Sequence, residues 1–133
     1  MKNFFLFSLC SSFFLFFSCN IDPTTGPQTG NGTAPPAFYL KQNYPNPFSD
    51  TTTIDYGVPA TGGSNSFVSV IVYDNFRQEL RVLASGNMAP NNYSTKWDGE
   101  NKRGIQVPSG TYTIEMKGLS PQTVIIRVLA IKK

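Results

Sequence analysis

Apolar side chains recur at every second position in four short runs of the chain. A period of two is typical of a β-strand, in which successive side chains point to opposite faces of the sheet. Each run therefore predicts a strand with one buried face, and no apolar set recurs at helical spacing. The predicted inward positions are Ile54, Tyr56 and Val58; Val68, Val70 and Val72; Tyr93, Thr95 and Trp97; and Tyr112, Ile114 and Met116.

The last run, residues 123–131, is apolar at both odd and even positions. Strands that are buried on both faces have this pattern, whereas half-buried strands alternate. We therefore predict a central or well-covered strand here. Its even positions carry Val124, Ile126, Val128 and Ala130, and its odd positions include Ile125, Arg127 and Leu129.

Clusters of turn residues separate these runs. Gly, Pro, Asn, Asp and Ser favour turns because they tolerate or impose the required backbone angles. About seven short strands at this spacing, with no helix between them, predict an all-β domain over residues 37–133. An antiparallel sandwich fits better than a barrel or a parallel sheet. The turn clusters are Gly62-Gly63-Ser64-Asn65, Asp74-Asn75, Asp98-Gly99, Pro108-Ser109-Gly110 and Gly118-Leu119-Ser120-Pro121.

The start of the chain has the three parts of an export signal. Lys2 supplies the positive start, residues 4–17 form an apolar stretch, and the small residue Ser18 precedes Cys19. The apolar stretch is shorter than the ~20 residues that a membrane-spanning helix needs. We therefore predict a signal peptide over residues 1–18 and no permanent membrane helix.

The sequence Leu15-Phe16-Phe17-Ser18-Cys19 resembles the lipobox of bacterial lipoproteins. Three of its residues depart from the usual pattern: Phe16 and Phe17 stand where small residues are common, and Leu15 lies one place early. The resemblance implies that Cys19 is diacylated and acylated on its new amino group, typically with palmitate. Two acyl chains suffice for stable membrane attachment. The alternatives for Cys19 are ordinary signal cleavage and an inert buried thiol.

Residues 20–36 are rich in Thr, Gly, Asn, Gln and Pro, and Ile21 is their single large apolar residue. Such a segment buries too little surface to offset the entropy of ordering it. We predict a flexible linker over residues 19–36 that holds the domain roughly 20–25 Å from the membrane. Asn20 stands where some bacteria place Asp to retain lipoproteins in the inner membrane, so outer-membrane delivery is expected, with the face left open.

Composition excludes several function classes. The chain has no histidine, and its two cysteines, Cys10 and Cys19, both precede the predicted domain, so the commonest general base, metal ligand and thiol nucleophile are missing there. Acidic residues are scattered singly. The net charge of +3 includes Lys2, which leaves with the signal, and no basic patch indicates nucleic-acid binding. We predict a non-enzymatic protein without a cofactor.

Four blocks follow one another along the predicted domain. They are Gln42-Asn43-Tyr44-Pro45-Asn46-Pro47-Phe48 with Thr51-Thr52-Thr53-Ile54, Val70-Ile71-Val72-Tyr73-Asp74, Trp97-Asp98-Gly99, and Val107-Pro108-Ser109-Gly110-Thr111-Tyr112. They resemble the NYPNPF…TTI, VYD, WDG and VPSGxY blocks of FlgD-like immunoglobulin-like domains and of the related C-terminal sorting domains of type IX secretion cargo. The resemblance implies an antiparallel immunoglobulin/fibronectin III-like β-sandwich of about seven strands. Phe76-Arg77-Gln78 departs from the usual Leu-Gly-Arg type turn, so a local change in that hairpin is expected.

We interpret the motif residues as structural. Pro45 and Pro47 restrict the backbone so that Tyr44 and Phe48 plug a sandwich edge. The core is predicted to contain Trp97. Asp98 is expected to bond to backbone amides of the turn that Gly99 permits, and Gly110 to supply a turn angle. The full motif set is Tyr44, Pro45, Asn46, Pro47, Phe48, Trp97, Asp98, Gly99, Pro108, Ser109, Gly110 and Tyr112.

Two binding roles are weaker alternatives for the same region. A calcium site would use Asp98, Glu100 and Asn101, although they lack the number and spacing of ligands that calcium demands. A weak carbohydrate-binding module would stack a sugar on exposed aromatic residues, although a sandwich needs most of its aromatic residues for its core. The candidates for stacking are Tyr39, Tyr73, Phe76 and Trp97.

Two function hypotheses follow. In the first, a lipid on Cys19 attaches the chain to the membrane, and the sandwich serves a structural role or binds a protein partner in the cell envelope. In the second, the domain is a type IX sorting signal recognised by a translocon. Sorting domains normally follow a passenger, whereas only the linker precedes this domain. In favour of the second hypothesis, Lys132-Lys133 directly follows the last predicted strand, as in many such signals.

Overall fold

The computed structural model describes residues 28–30, 32–60, 64–119 and 123–133. The predicted signal peptide and Cys19 lie outside these residues. So do the centres of two predicted turns, at residues 61–63 and 120–122. Within the described residues no helix is long and apolar enough to cross a membrane.

The described residues form strands and no helix, in two antiparallel sheets. The first sheet has the order β1-β6-β3-β2, and the second has the order β5-β4-β7-β8. The predicted all-β sandwich is therefore confirmed. The strands are β1 Gln28–Gly30, β2 Tyr39–Leu40, β3 Thr52–Val58, β4 Ser66–Tyr73, β5 Glu79–Met88, β6 Asn91–Trp97, β7 Gly110–Leu119 and β8 Thr123–Lys132.

The core lies between the two sheets and follows the period-two pattern. All predicted inward positions of the four runs are buried except Thr95, which is half-buried. The rings of Tyr56 and Tyr93 stack with centroids 5.5 Å apart. Alternation sufficed here because each strand has one face against the opposite sheet.

Strand β8 lies at a sheet edge, and the prediction of a central or well-covered strand is wrong. Within the described residues it forms its ladder with β7 alone. Its even positions face the core, where Ala130 is fully buried. Its odd positions lie on the outer face of the second sheet, where Ile125 is 45% and Leu129 56% exposed. The strand is apolar on both faces although only one of them is covered.

Strand β1 lies within the predicted flexible linker. Gln28, Thr29 and Gly30 pair antiparallel with residues 92–94 of β6. Farther along, the side-chain amide of Asn92 donates to Thr33 O at 3.2 Å. For these described residues the structure shows attachment to the first sheet, whereas residues 19–27 and 31 of the predicted linker lie outside the described residues.

Candidate functional site

The aromatic residues of three motif blocks meet in one cluster at an end of the sandwich. The rings of Phe48 and Trp97 have centroids 5.3 Å apart, and Tyr112 packs edge-on against Trp97 at the same distance. All three side chains are buried. Such tilted and edge-on pairs are the favoured aromatic geometries, so these motif positions stabilise the junction of the two sheets.

A buried polar network holds the segment that leads into this cluster. Asn43 is buried, and its amide donates to Thr52 Oγ1 at 2.8 Å and to Pro45 O at 3.3 Å. Thr52 Oγ1 in turn donates to Pro45 O at 2.8 Å. The peptide bonds Tyr44-Pro45 and Asn46-Pro47 are cis. The network explains why the turn carries a buried amide, a role that the sequence analysis did not assign to Asn43.

The motif segment, residues 42–48, covers half of the free edge of β8. The side chain of Asn46 accepts from Ile131 N at 2.8 Å and donates to Leu129 O at 3.0 Å. Gln42 also donates to Leu129 O, at 2.6 Å. The backbone of Phe48 completes the cover: its N–H donates to Ile131 O at 2.9 Å, and its carbonyl accepts from Lys133 N at 2.8 Å. The segment takes the place of a neighbouring strand along this half of β8.

Tyr44 does not plug the sandwich edge, and that prediction is wrong. Its side chain is 80% exposed, whereas Phe48 is 1% exposed. The backbone of Tyr44 is held instead, because it exchanges two hydrogen bonds with Thr53 at 2.8 and 2.9 Å. This pairing turns the ring outward while Phe48 enters the core.

The Trp97-Asp98-Gly99 block forms the predicted turn. Trp97 is fully buried, and its indole Nε1 donates to Glu100 O at 2.9 Å. Asp98 Oδ1 accepts from Glu100 N at 3.0 Å, as expected for a turn carboxylate. Gly99 has a φ of 74°, and a Cβ there would lie 2.4 Å from Lys132 Cε. The block is built to pass closely under the end of β8.

The Pro108-Ser109-Gly110 turn is held by the tyrosine that follows it. Tyr112 donates from its hydroxyl to Pro108 O, four residues earlier. This contact is of the kind seen in the tyrosine corners of immunoglobulin-like domains. Gly110 is the first residue of β7, and Ser109 is exposed. The block therefore sets the entry into the central strand β7.

Comparison with known proteins agrees with this geometry. The family model described as "FlgD Ig-like domain" matches residues 48–122, more than half of the chain. The chain belongs to the FlgD Ig-like domain family. No curated protein sequence matches the chain.

A solved structure shares the fold. The crystal structure of dimeric latent PorU from Porphyromonas gingivalis is similar at a TM-score of 0.57 and 22% identity. The match covers 76% of this chain and 10% of PorU, so the chain corresponds to a tenth of the length of that protein. At this identity the likeness concerns the fold.

Two of the side-chain oxygens that the calcium alternative would use already accept backbone hydrogen bonds within this FlgD Ig-like domain. Asn101 Oδ1 accepts from Arg103 N at 2.9 Å and from Ile105 N at 3.2 Å. Asp98 Oδ1 accepts from Glu100 N at 3.0 Å. In the described part of the chain, no group of three or more His, Cys, Asp or Glu side chains could hold a metal ion.

The four aromatic residues of the sugar alternative do not form one platform. Trp97 is in the core, and Tyr39 donates from its hydroxyl to Asn92 Oδ1 at 2.8 Å. The ring of Tyr73 lies under the guanidinium of Arg77, 5.4 Å from its centroid. Phe76 is 85% exposed at the tip of the β4–β5 turn. A shallow groove of about 350 Å³ beside Tyr39 also contains Asp55, Asn92 and Ser94.

A carboxylate on the outer face of the second sheet is surrounded by cations. The side chain of Glu115 is 2% exposed, and it lies 2.5 Å from Arg127 Nε, 3.1 Å from Arg77 Nη2 and 3.4 Å from Lys117 Nζ. Burial alone would raise the pKa of Glu115, but the hydrogen bonds and charge of Arg127, with Arg77 and Lys117, lower the pKa below its usual value. Three cations around one carboxylate leave positive charge in excess.

Arg77 reaches this cluster from an unusual backbone position. It has a φ of 64°, the left-handed region that favours glycine. Arg77 stands at the place of the glycine in the Leu-Gly-Arg type turn of the domains that the sequence resembles. Asp74 holds the turn, since its Oδ1 accepts from Phe76 N at 2.8 Å and from Gln78 N at 2.9 Å. A non-glycine residue is strained in this conformation, and the contact of Arg77 with Glu115 had no local signal in the sequence.

Proposed function

We propose that this chain is a non-enzymatic lipoprotein of the bacterial cell envelope, in which a FlgD Ig-like domain serves a structural or protein-interaction role. One observation carries the proposal. Apart from Pro47 and Ser109, which are exposed, the motif residues either lie in the core or hydrogen-bond within the domain, while apolar side chains remain exposed on the outer face of the second sheet. That division supports a scaffold with a surface for a partner.

The exposed apolar side chains form a candidate partner surface. Phe67 of β4 and Leu119 of β7 are direct neighbours, at 46% and 53% exposure. Ile125, Leu129 and Ile131 lie on the same face along β8, with Arg127 between the first two. Large contiguous apolar patches on a soluble domain commonly mark interaction sites. A protein partner in the envelope fits this surface better than nucleic acid, because the face is apolar around one cluster of charges.

Membrane attachment through a lipid on Cys19 is the second part of the proposal, with the outer membrane as the expected location. The support is the signal pattern before Cys19 and its resemblance to a lipobox.

The matched pair of variants is Cys19→Ala and Cys10→Ala, since both cysteines lie in the same N-terminal stretch. We expect Cys19→Ala to abolish labelling by a fatty-acid analogue and release the protein from membranes. The Cys10→Ala variant should stay labelled and membrane-bound. Labelled, membrane-bound Cys19→Ala protein would refute the lipid anchor.

A type IX sorting domain is the second candidate function. The resemblance of the four motif blocks to such domains supports it. The test fuses residues 37–133 behind a reporter in a host with the type IX machinery, and the control is the same fusion in a strain that lacks the translocon. Export that depends on the translocon supports the sorting function, and retention in both strains counts against it.

A further inference from the structure

The first half of strand β8 presents an open edge. In β8 the backbone groups of Ile131 and the carbonyl of Leu129 point away from β7, toward the motif segment. The β7–β8 ladder runs without a register shift from Leu119↔Thr123 to Gly110↔Lys132. Since backbone groups alternate with a period of two in an antiparallel ladder, those of Ile125 and Arg127 also point away from β7. No backbone hydrogen bond from the described residues reaches them.

The other edge of the same sheet is partly covered. Along the start of β5, the carbonyl of Leu80 accepts from Lys102 N at 2.7 Å. The guanidinium of Arg81 donates to Asn101 O at 2.9 Å. The turn after Trp97 therefore lies against this part of β5. Among the described residues, the start of β8 combines unpaired backbone groups with the positive charge of Arg127 beside them.

The side chains beside this edge define what would fit it. On the outer face, Ile125 is 45% exposed, and Arg127 belongs to the cluster in which three cations surround Glu115. On the other face, Val124 is 37% exposed and Ile126 packs against the core. A neighbouring strand would meet apolar residues on its inner face and an excess of positive charge on its outer face.

We propose that residues 123–127 of β8 accept an extended strand of a partner protein whose residues alternate between apolar and acidic. Backbone pairing would supply the affinity, and side-chain alternation the selectivity, as in other cases of strand addition. The motif segment limits the site, because Asn46 and Phe48 already occupy the edge from Leu129 onward. This inference rests on the proposed interaction role and names the class of partner.

The test measures peptide binding to the full chain purified from its host. The probe is a synthetic peptide that alternates valine and glutamate, compared with one in which lysine replaces glutamate and one with N-methylated backbone amides. We expect the glutamate peptide to bind at least tenfold more tightly than either control, and its affinity to fall as salt is added. Equal binding of the glutamate and lysine peptides would overturn the charge assignment and with it the proposal.

The site is mapped with a proline variant and with amide hydrogen exchange. The variant Ile125→Pro removes an outward N–H, which an edge strand tolerates, and Ile125→Val is its matched control. We expect at least tenfold weaker binding for the proline variant alone. In the unaltered chain, the peptide should slow exchange at the amides of Ile125 and Arg127 and leave Val124 and Ile126 unchanged, because the even residues already pair with β7.

Two outcomes oppose the proposal, and each is distinguishable from failure of the lipid anchor. Protection elsewhere in the domain overturns it, as does sedimentation showing that the chain pairs with a second copy through β8. In the peptide-binding and hydrogen-exchange measurements, the fluorescence of Trp97 checks that each variant is folded. If the unaltered chain is lipidated at Cys19 but does not bind the glutamate peptide, the strand-addition proposal alone is contradicted. If the chain binds the peptide but carries no lipid, only the proposed lipid anchor is contradicted.

Discussion

The side-chain amide of Asn46 accepts the backbone N–H of Ile131 at 2.8 Å, although 85 residues separate them in sequence. The same amide donates to Leu129 O at 3.0 Å. Exposed strand edges attract other strands, and natural proteins cover them with loops or charges. Asn46 therefore provides a donor and an acceptor where the next strand would lie, which explains why a motif residue in a loop belongs to the fold.

Replacing Asn46 by alanine should lower the free energy of unfolding by about 1–2 kcal/mol, because Ile131 N loses its partner and Leu129 O keeps only the bond from Gln42. Urea unfolding followed through Trp97, the single tryptophan of the chain, measures the change. The control is Asn87→Ala, at an exposed position of β5, which should shift stability by less than ~0.5 kcal/mol. Equal effects of the two variants would contradict the role of Asn46.

Truncation of the two aromatic residues in the Tyr44 to Phe48 block should change the free energy of unfolding by very different amounts. Phe48→Ala removes a buried ring from the contact with Trp97 and should cost about 3–5 kcal/mol. Tyr44→Ala removes a side chain that is 80% exposed, so a change below ~0.5 kcal/mol is expected. The same unfolding assay compares them. A large loss in Tyr44→Ala would show that its ring packs on something beyond the described contacts.

The sequence predicted those parts of the fold that depend on local pattern. Burial of Val70 or Ile114 follows from alternation within one strand. The exposure of Tyr44 and the burial of Phe48 could not be predicted from local pattern. Tyr44 is turned outward by pairing with Thr53, and Phe48 is buried against Trp97. The edge position of β8 could not be predicted either, because the exposed outer face of this strand is apolar and gives the same sequence pattern as a buried face.

Two variants of Arg77 distinguish the cost of its backbone conformation from the loss of its side-chain contact. Both Arg77→Gly and Arg77→Ala remove the guanidinium that lies 3.1 Å from Glu115. They differ in the backbone, because the residue has a φ of 64° and alanine pays a steric cost there that glycine does not. The glycine variant should be more stable than the alanine variant by about 1 kcal/mol. Thermal unfolding of both measures this difference, and equal midpoints would show that the turn relaxes to another conformation.

Glu115 should make the stability of the domain depend on pH in the acid range. Its pKa is lower in the folded chain than the ordinary value of 4.5, since the attraction of Arg127, Arg77 and Lys117 outweighs burial. The unfolded chain therefore takes up a proton first as the pH falls. The carboxylate stabilises the folded state above pH 4.5, and this contribution is lost as the pH drops through the lower folded pKa.

The variant Glu115→Gln should accordingly lose about 1–3 kcal/mol of unfolding free energy at pH 7, from the hydrogen bonds to charged partners. The difference from the unaltered chain should shrink as the pH is lowered below 4.5. Added salt should reduce it in part, because the side chains of Arg77, Lys117 and Arg127 are each about half exposed. Glu79→Gln, at an exposed position of β5, is the matched control and should change the free energy of unfolding at pH 7 by less than ~0.5 kcal/mol. A stability difference for Glu115→Gln that stays constant from pH 7 to pH 3 would mean that the carboxylate does not carry the charge in this cluster.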